Sequence, residues 1–179
     1  MTKKVKLSIL GISFSQVQAG AYALIFAEEN GIRRLPIVIG TPEAQSIAIV
    51  MENIKPPRPL SHDLIYSIFQ ELDIELKEVF IYKFEEGAFF SELLLLQNGR
   101  EYRIDSRTSD AVAIAMRTHS PIYTTEEIMQ NMAIVFDENA PFDAPENTVP
   151  REKENNRSDD LSMLSTDELK SKLEEAVKD

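Results

Sequence analysis

The chain has 179 residues, no Cys, no Trp, and 30 acidic against 19 basic side chains, a formal net charge of −11. That length suits one domain with extensions, and 43% hydrophobic with 27% charged residues excludes disorder throughout. Without Cys there is no disulfide, zinc ribbon, iron–sulfur ligation or thiol nucleophile. No run reaches the ~18 apolar residues of a membrane span, and the N-terminus lacks a signal-peptide core, so a cytoplasmic protein with no membrane partner is expected.

Three β-type runs come first, Val5–Phe14, Ala21–Glu28 and Arg33–Ile39. Asn30-Gly31 between the last two predicts a type I′ hairpin turn, which needs positive φ at both central residues. Thr41 as N-cap with Pro42 behind it starts a helix, and Pro56 closes that region. Ser61 caps a second helix over Ser61–Leu72.

A shift of 65 residues repeats the pattern. Glu75–Phe84, Phe89–Gln97 and Glu101–Ile104 are three further strands, with Asn98-Gly99 in the last hairpin. Ser106 caps a helix in which Val112-Ala113-Ile114 and Met116 echo Ile47-Ala48-Ile49 and Met51. Thr124 and Glu127 form a capping box for a helix ending at Met132. Two approximate βββα units with additional helices predict an α+β fold of two sheets, antiparallel or mixed, each covered on one face.

This body, residues 1–136, holds 17 acids and 13 bases; residues 137–179 hold 13 and 6. Residues 137–160, rich in Asp, Glu, Asn and Pro, are expected to be a solvated linker. Residues 161–179 are expected to form an amphipathic helix: Ser165 and Glu168 make a capping box, and Leu169, Leu173 and Val177 make a stripe. That stripe needs a partner, whether a second helix, another chain or the body.

The polar residues gather at helix starts. In Lys55-Pro56-Pro57-Arg58-Pro59-Leu60-Ser61-His62-Asp63 the prolines stiffen the segment that presents Lys55 and Arg58, and His62 and Asp63 follow in a first turn. Glu43 and Gln45 lie in the first turn of one helix. Asp105, Arg107, Ser109 and Asp110 surround the start of another. If the repeat brings these starts together, Glu43, Asp63, Asp105 and Asp110 make a carboxylate cluster. Such a cluster suits Mg²⁺ or Mn²⁺, with Asp63, Asp105 and Asp110 as ligands. Arg58 and Arg107 would then hold phosphate oxygens, and His62 would serve as general base or bind a water. There is no P-loop, GxGxxG, GxSxG or HExxH.

Three blocks carry a resemblance: Leu35 to Ala48 (LPIVIGTPEAQSIA), Lys55 to Leu64 (KPPRPLSHDL) and Ile104 to Ala113 (IDSRTSDAVA). In order and separation they resemble the bifunctional nuclease domain family, over about residues 5–135. The resemblance implies an α+β domain that oligomerises, with nuclease activity on DNA and RNA; the exposed sheet or helix faces left by the duplicated βββα layout make a homodimer the expected assembly. The family's recurring polar positions fall on Glu43, Gln45, Arg58, His62, Asp63, Asp105, Arg107, Ser109 and Asp110. Leu164 to Asp179 resembles the first helix of a UVR helical hairpin, an interaction motif of excision-repair proteins.

Two functions follow from the sequence. One is a metal-assisted nuclease, with Glu43, His62, Asp63 and Asp110 catalytic and Lys55, Arg58, Arg107, Ser109 and Gln45 binding substrate. The other is a non-catalytic repair or stress adaptor that recruits a protein partner through the C-terminal helix. The acidic balance predicts weak nucleic-acid contact, through local bases such as Arg33, Arg34, Lys55, Arg58, Arg103 and Arg107.

Overall fold

The computed structural model describes residues 3–14 and 20–135. The expected linker and C-terminal helix lie outside the described residues. The elements run β1 (Lys4–Phe14), β2 (Ala21–Glu28), β3 (Arg33–Gly40), α1 (Thr41–Met51), α2 (Ser61–Glu71), β4 (Glu75–Glu85), β5 (Ala88–Gln97), β6 (Arg100–Arg107), α3 (Thr108–Thr118), β7 (Ile122–Thr125), α4 (Glu126–Met132) and β8 (Ile134–Val135).

Both βββα units form, but they share one sheet rather than building two. The strand order is β6-β5-β4-β7-β1-β2-β3-β8. The short β7 is the join: it pairs antiparallel with β1 and parallel with β4. Alternation along the strands sends one set of side chains to the core. Leu7, Leu24, Phe26, Leu35 and Ile37 come from the first unit, Val79, Ile81, Leu93 and Leu95 from the second, and Ile122 from β7.

Helix α3 fills the centre of the helical layer. Ala111 to Ala115 are all buried, and the helix contacts α1 and α2 on one side and β4, β5 and β6 on the other. Its small residues let those neighbours approach closely. By contrast, α2 buries only Phe69 fully, while Leu64, Ile68 and Leu72 on its outer side are exposed.

Several predicted caps sit elsewhere. Strand β6 runs on to Arg107, so Ser106 is a strand residue whose hydroxyl donates to the Ser91 carbonyl. Thr125, not Thr124, caps α4: its hydroxyl accepts from the Ile128 N–H at 3.1 Å. Gly40 and Leu60 occupy the N-cap positions expected for Thr41 and Ser61. The Asn98-Gly99 turn has positive φ at both residues, 50° and 75°. Asn30-Gly31 does not: the β2–β3 connection is a longer loop with negative φ there. Gly31 is needed for space, since a Cβ would overlap the Glu28 carboxylate.

Candidate active site

The βββα repeat places α1 and α3 at equivalent ends of neighbouring units, and α2 lies against α3. Their first turns meet, and the polar residues of all three connect. Asp110, in the first turn of α3, accepts from Arg107 Nε at 2.7 Å and from His62 Nε2 at 2.9 Å. Arg107 reaches across to Glu43 in the first turn of α1, at 2.8 Å. On its other side, His62 Nδ1 lies 2.7 Å from the hydroxyl of Ser46, one turn further along α1. The result is a continuous chain, Ser46–His62–Asp110–Arg107–Glu43, drawn from three helices.

The chemistry of the partners sets the protons. Burial alone would raise the Asp110 carboxyl, but the Arg107 guanidinium and His62 more than offset it and hold Asp110 below the ordinary carboxylate range. An ionised carboxylate only accepts, so Nε2 of His62 donates to Asp110. With the ring in its Nε2–H tautomer, Nδ1 would accept from the Ser46 hydroxyl. Glu43 folds back against Gly40, where a Cβ would meet the carboxylate at 2.6 Å, so this glycine makes room for the Glu43–Arg107 contact.

A second ion pair lies beside the first. Arg117, buried two turns along α3, donates to Asp63 Oδ1 at 2.6 Å and to the carbonyls of Ala113 and Ser46. Asp63 Oδ2 accepts from the Leu60 N–H at 2.8 Å, which satisfies the start of α2. Burial works to raise the Asp63 carboxyl, yet Arg117 and the Leu60 N–H leave it below its ordinary value. Arg117 and Ser46 were not singled out by sequence. The available signal was periodic: Ser46 stands three residues after Glu43, and Arg117 seven after Asp110, each on the same helical face.

The remaining sequence candidates divide. Lys55, Arg58 and Gln45 are exposed, and among the described residues none of the three side chains makes a hydrogen bond or ion pair. Ser109 is buried in the first turn of α3. Asp105 is exposed on β6, opposite Glu92 of β5, outside this chain of contacts. Of the expected nucleic-acid bases, Arg33 is held bidentately by Glu28 and again by Glu126. Arg34 donates to backbone carbonyls, and Arg103 pairs with Glu92.

The expected Mg²⁺ or Mn²⁺ cage is not assembled. Among the described residues no three His, Asp or Glu side chains converge as a metal site requires. Asp63 and Asp110 have both oxygens taken by Arg117, Leu60, His62 and Arg107, and Asp105 stands apart. The donor set fits a hydrogen-bonded acid–base group better than an oxygen-ligated ion.

A bifunctional nuclease domain model matches residues 24–137, which include every member of this chain of contacts. The chain belongs to the bifunctional nuclease domain family. An uncharacterized protein of Mycobacterium tuberculosis is 36% identical over 166 residues, covering 92% of this chain and 98% of that relative. Proteins named bifunctional nuclease 1 in Oryza sativa subsp. indica and bifunctional nuclease in Oryza minuta are each 26% identical over 114 residues. Those matches cover 62% of this chain and 34% of the longer rice proteins. Membership confirms the resemblance carried by the three sequence blocks. No helix among the described residues is long and apolar enough to cross a membrane.

Proposed function

We propose that this member of the family hydrolyses phosphodiester bonds in DNA or RNA, with His62 as general base. The observation that carries the reading is the Ser46–His62–Asp110 chain, a base held by a carboxylate on one nitrogen and facing an oxygen with the other. Asp110 fixes the ring and its tautomer and stabilises the imidazolium formed when Nδ1 takes the proton of the water attacking phosphorus, relayed through the Ser46 hydroxyl. The same proton is then returned to the leaving oxygen as its bond to phosphorus breaks. Arg107 is clamped by Asp110 and Glu43 yet remains 68% exposed, so it can meet a phosphate oxygen. Arg58 and Lys55, presented by the proline-rich loop before His62, supply further contacts, and Gln45 offers an amide donor. Three helix N-termini around the group favour an anion at this position. Asp63 acts as a positioning residue, holding α2 to Arg117.

The test is cleavage of single- and double-stranded DNA and RNA oligonucleotides by the purified full-length chain. His62→Gln is expected to lower the rate at least a hundredfold, the lower end of ordinary general-base effects. Cleavage is expected to survive chelation of divalent ions, because no step in this reading passes through one. Absence of turnover in the wild-type chain would favour the adaptor reading; cleavage that His62→Gln leaves unchanged would remove His62 from the chemistry.

A further inference from the structure

We propose that two copies of this chain join through β6, antiparallel and centred on Ile104, so that one sheet runs through both. This goes beyond the nuclease reading and does not depend on it. Among the described residues, strand β6 ends the sheet, with β5 as its one neighbour. At the opposite end, among the described residues, β8 pairs only with Arg33 and Arg34 of β3. That leaves a shorter edge from Leu35 to Gly40, interrupted by Pro36, whereas β6 offers eight residues. An exposed edge of that length is a template for another strand unless its side chains oppose the pairing.

Here the side chains select one pairing. Glu101, Arg103, Asp105 and Arg107 alternate along one face of β6. In an antiparallel pair centred on Ile104, Arg103, which also holds Glu92 of its own chain, stands opposite the partner subunit's Asp105, and Glu101 opposite the partner subunit's Arg107, whose guanidinium is shared with Asp110 and Glu43. The two-fold axis repeats both pairs, giving four opposite-charge contacts. Centring on Arg103 or on Asp105 instead sets like charges face to face, which is unfavourable. The strand is therefore self-complementary in one central register and self-repelling in the registers either side that keep the same face.

The other face agrees. Ile104 points to the same side as buried Leu93, its cross-strand neighbour, yet remains 46% exposed. On the two-fold axis it meets the partner subunit's Ile104, which covers that surface. The pairing also brings the partner subunit's Glu101 beside Arg107, so each acid–base group is bordered by the second copy.

The experiment is sedimentation velocity of the full-length chain with two charge reversals and one cysteine. Arg103→Glu and Asp105→Lys are each expected to weaken the dimer at least tenfold, because each places like charges across the axis. Mixed in equal amounts, the two variants are expected to recover the dimer, since each then meets an opposite charge at both positions. A variant that had merely failed to fold would not recover on mixing. Ile104→Cys provides the sole thiol in the chain. Across an antiparallel pair its Cα atoms would stand about 4.5–5.5 Å apart, within disulfide reach, so mild oxidation is expected to give a covalent dimer. A wild-type chain monomeric at high micromolar concentration would overturn the proposal. So would a dimer untouched by either reversal, one broken instead by Leu64→Glu on α2, or one that Ile104→Cys fails to cross-link.

Discussion

Asp63, a catalytic candidate in the sequence, is held in the fold by two partners. Both its oxygens are spoken for, one by the buried Arg117 and one by the Leu60 N–H. Removing Arg117 leaves that carboxylate without its cation. Fully buried pairs broken in this way lose roughly 3–5 kcal/mol, and because Asp63 keeps some contact with water we expect about 2 kcal/mol for Arg117→Met, measured by denaturant unfolding. The pH dependence has a definite sign. Asp63 and Asp110 are both held below the ordinary carboxyl value of about 3.9, so their contribution is complete above that pH and is lost as pH falls through their lowered folded values. Between about pH 5 and about pH 2, the unfolding temperature of Asp63→Asn should fall less steeply than that of the wild type; parallel curves would contradict this. The sequence pointed to His62, Asp110, Glu43 and Arg107 because polar residues crowd three helix starts. It could not say which carboxylate faces which base, since that depends on how α2 lies against α3.

At the scale of elements, the repeat was legible because strand alternation, turn residues and helix patterns recur at a fixed spacing. The join between the halves was not. Strand β7 has four residues, and its Thr124 and Thr125 resemble helix caps, so nothing local announces that it pairs with β1 and β4 at once. The two Asn-Gly turns make a similar point. Gly99 sits at φ 75°, where a side chain is strained, and Gly99→Ala is expected to cost about 1 kcal/mol. Gly31→Ala acts by another route: its Cβ pushes the Glu28 side chain away from Arg33 without backbone strain. Restoring space with Glu28→Ala in the Gly31→Ala background should therefore add little further loss, a coupling that a thermal-unfolding cycle would detect. Helix α2 depends on Phe69, its one buried side chain. Phe69→Ala, at a cost of roughly 3–5 kcal/mol for a core phenylalanine, should loosen α2 and lower cleavage along with stability, because His62 rides on that helix. Hydrogen exchange confined to residues 61–71 would register the change.

For the whole molecule, charge shapes how substrate is met. The net charge of −11 lies largely beyond residue 136, yet the described body is still acidic and most of its arginines are paired internally. Beside the acid–base group, Lys55, Arg58 and the exposed Arg107 are the bases placed to face a phosphate backbone. Three such contacts predict a modest salt dependence for duplex DNA, with log K falling against log salt at a slope of about −3; a slope beyond about −6 would mean a larger basic surface than this one. In the proposed reading affinity is low, and the rate rests on the geometry of the acid–base group. The most direct test compares two aspartates that the sequence treats alike, Asp105 and Asp110, in cleavage assays at matched protein concentration. Asp110→Asn should lower cleavage at least tenfold while Asp105→Asn stays within about twofold of wild type, as expected if Asp110 alone orients the base. Equal losses in the two variants would contradict the account and restore a shared carboxylate cluster.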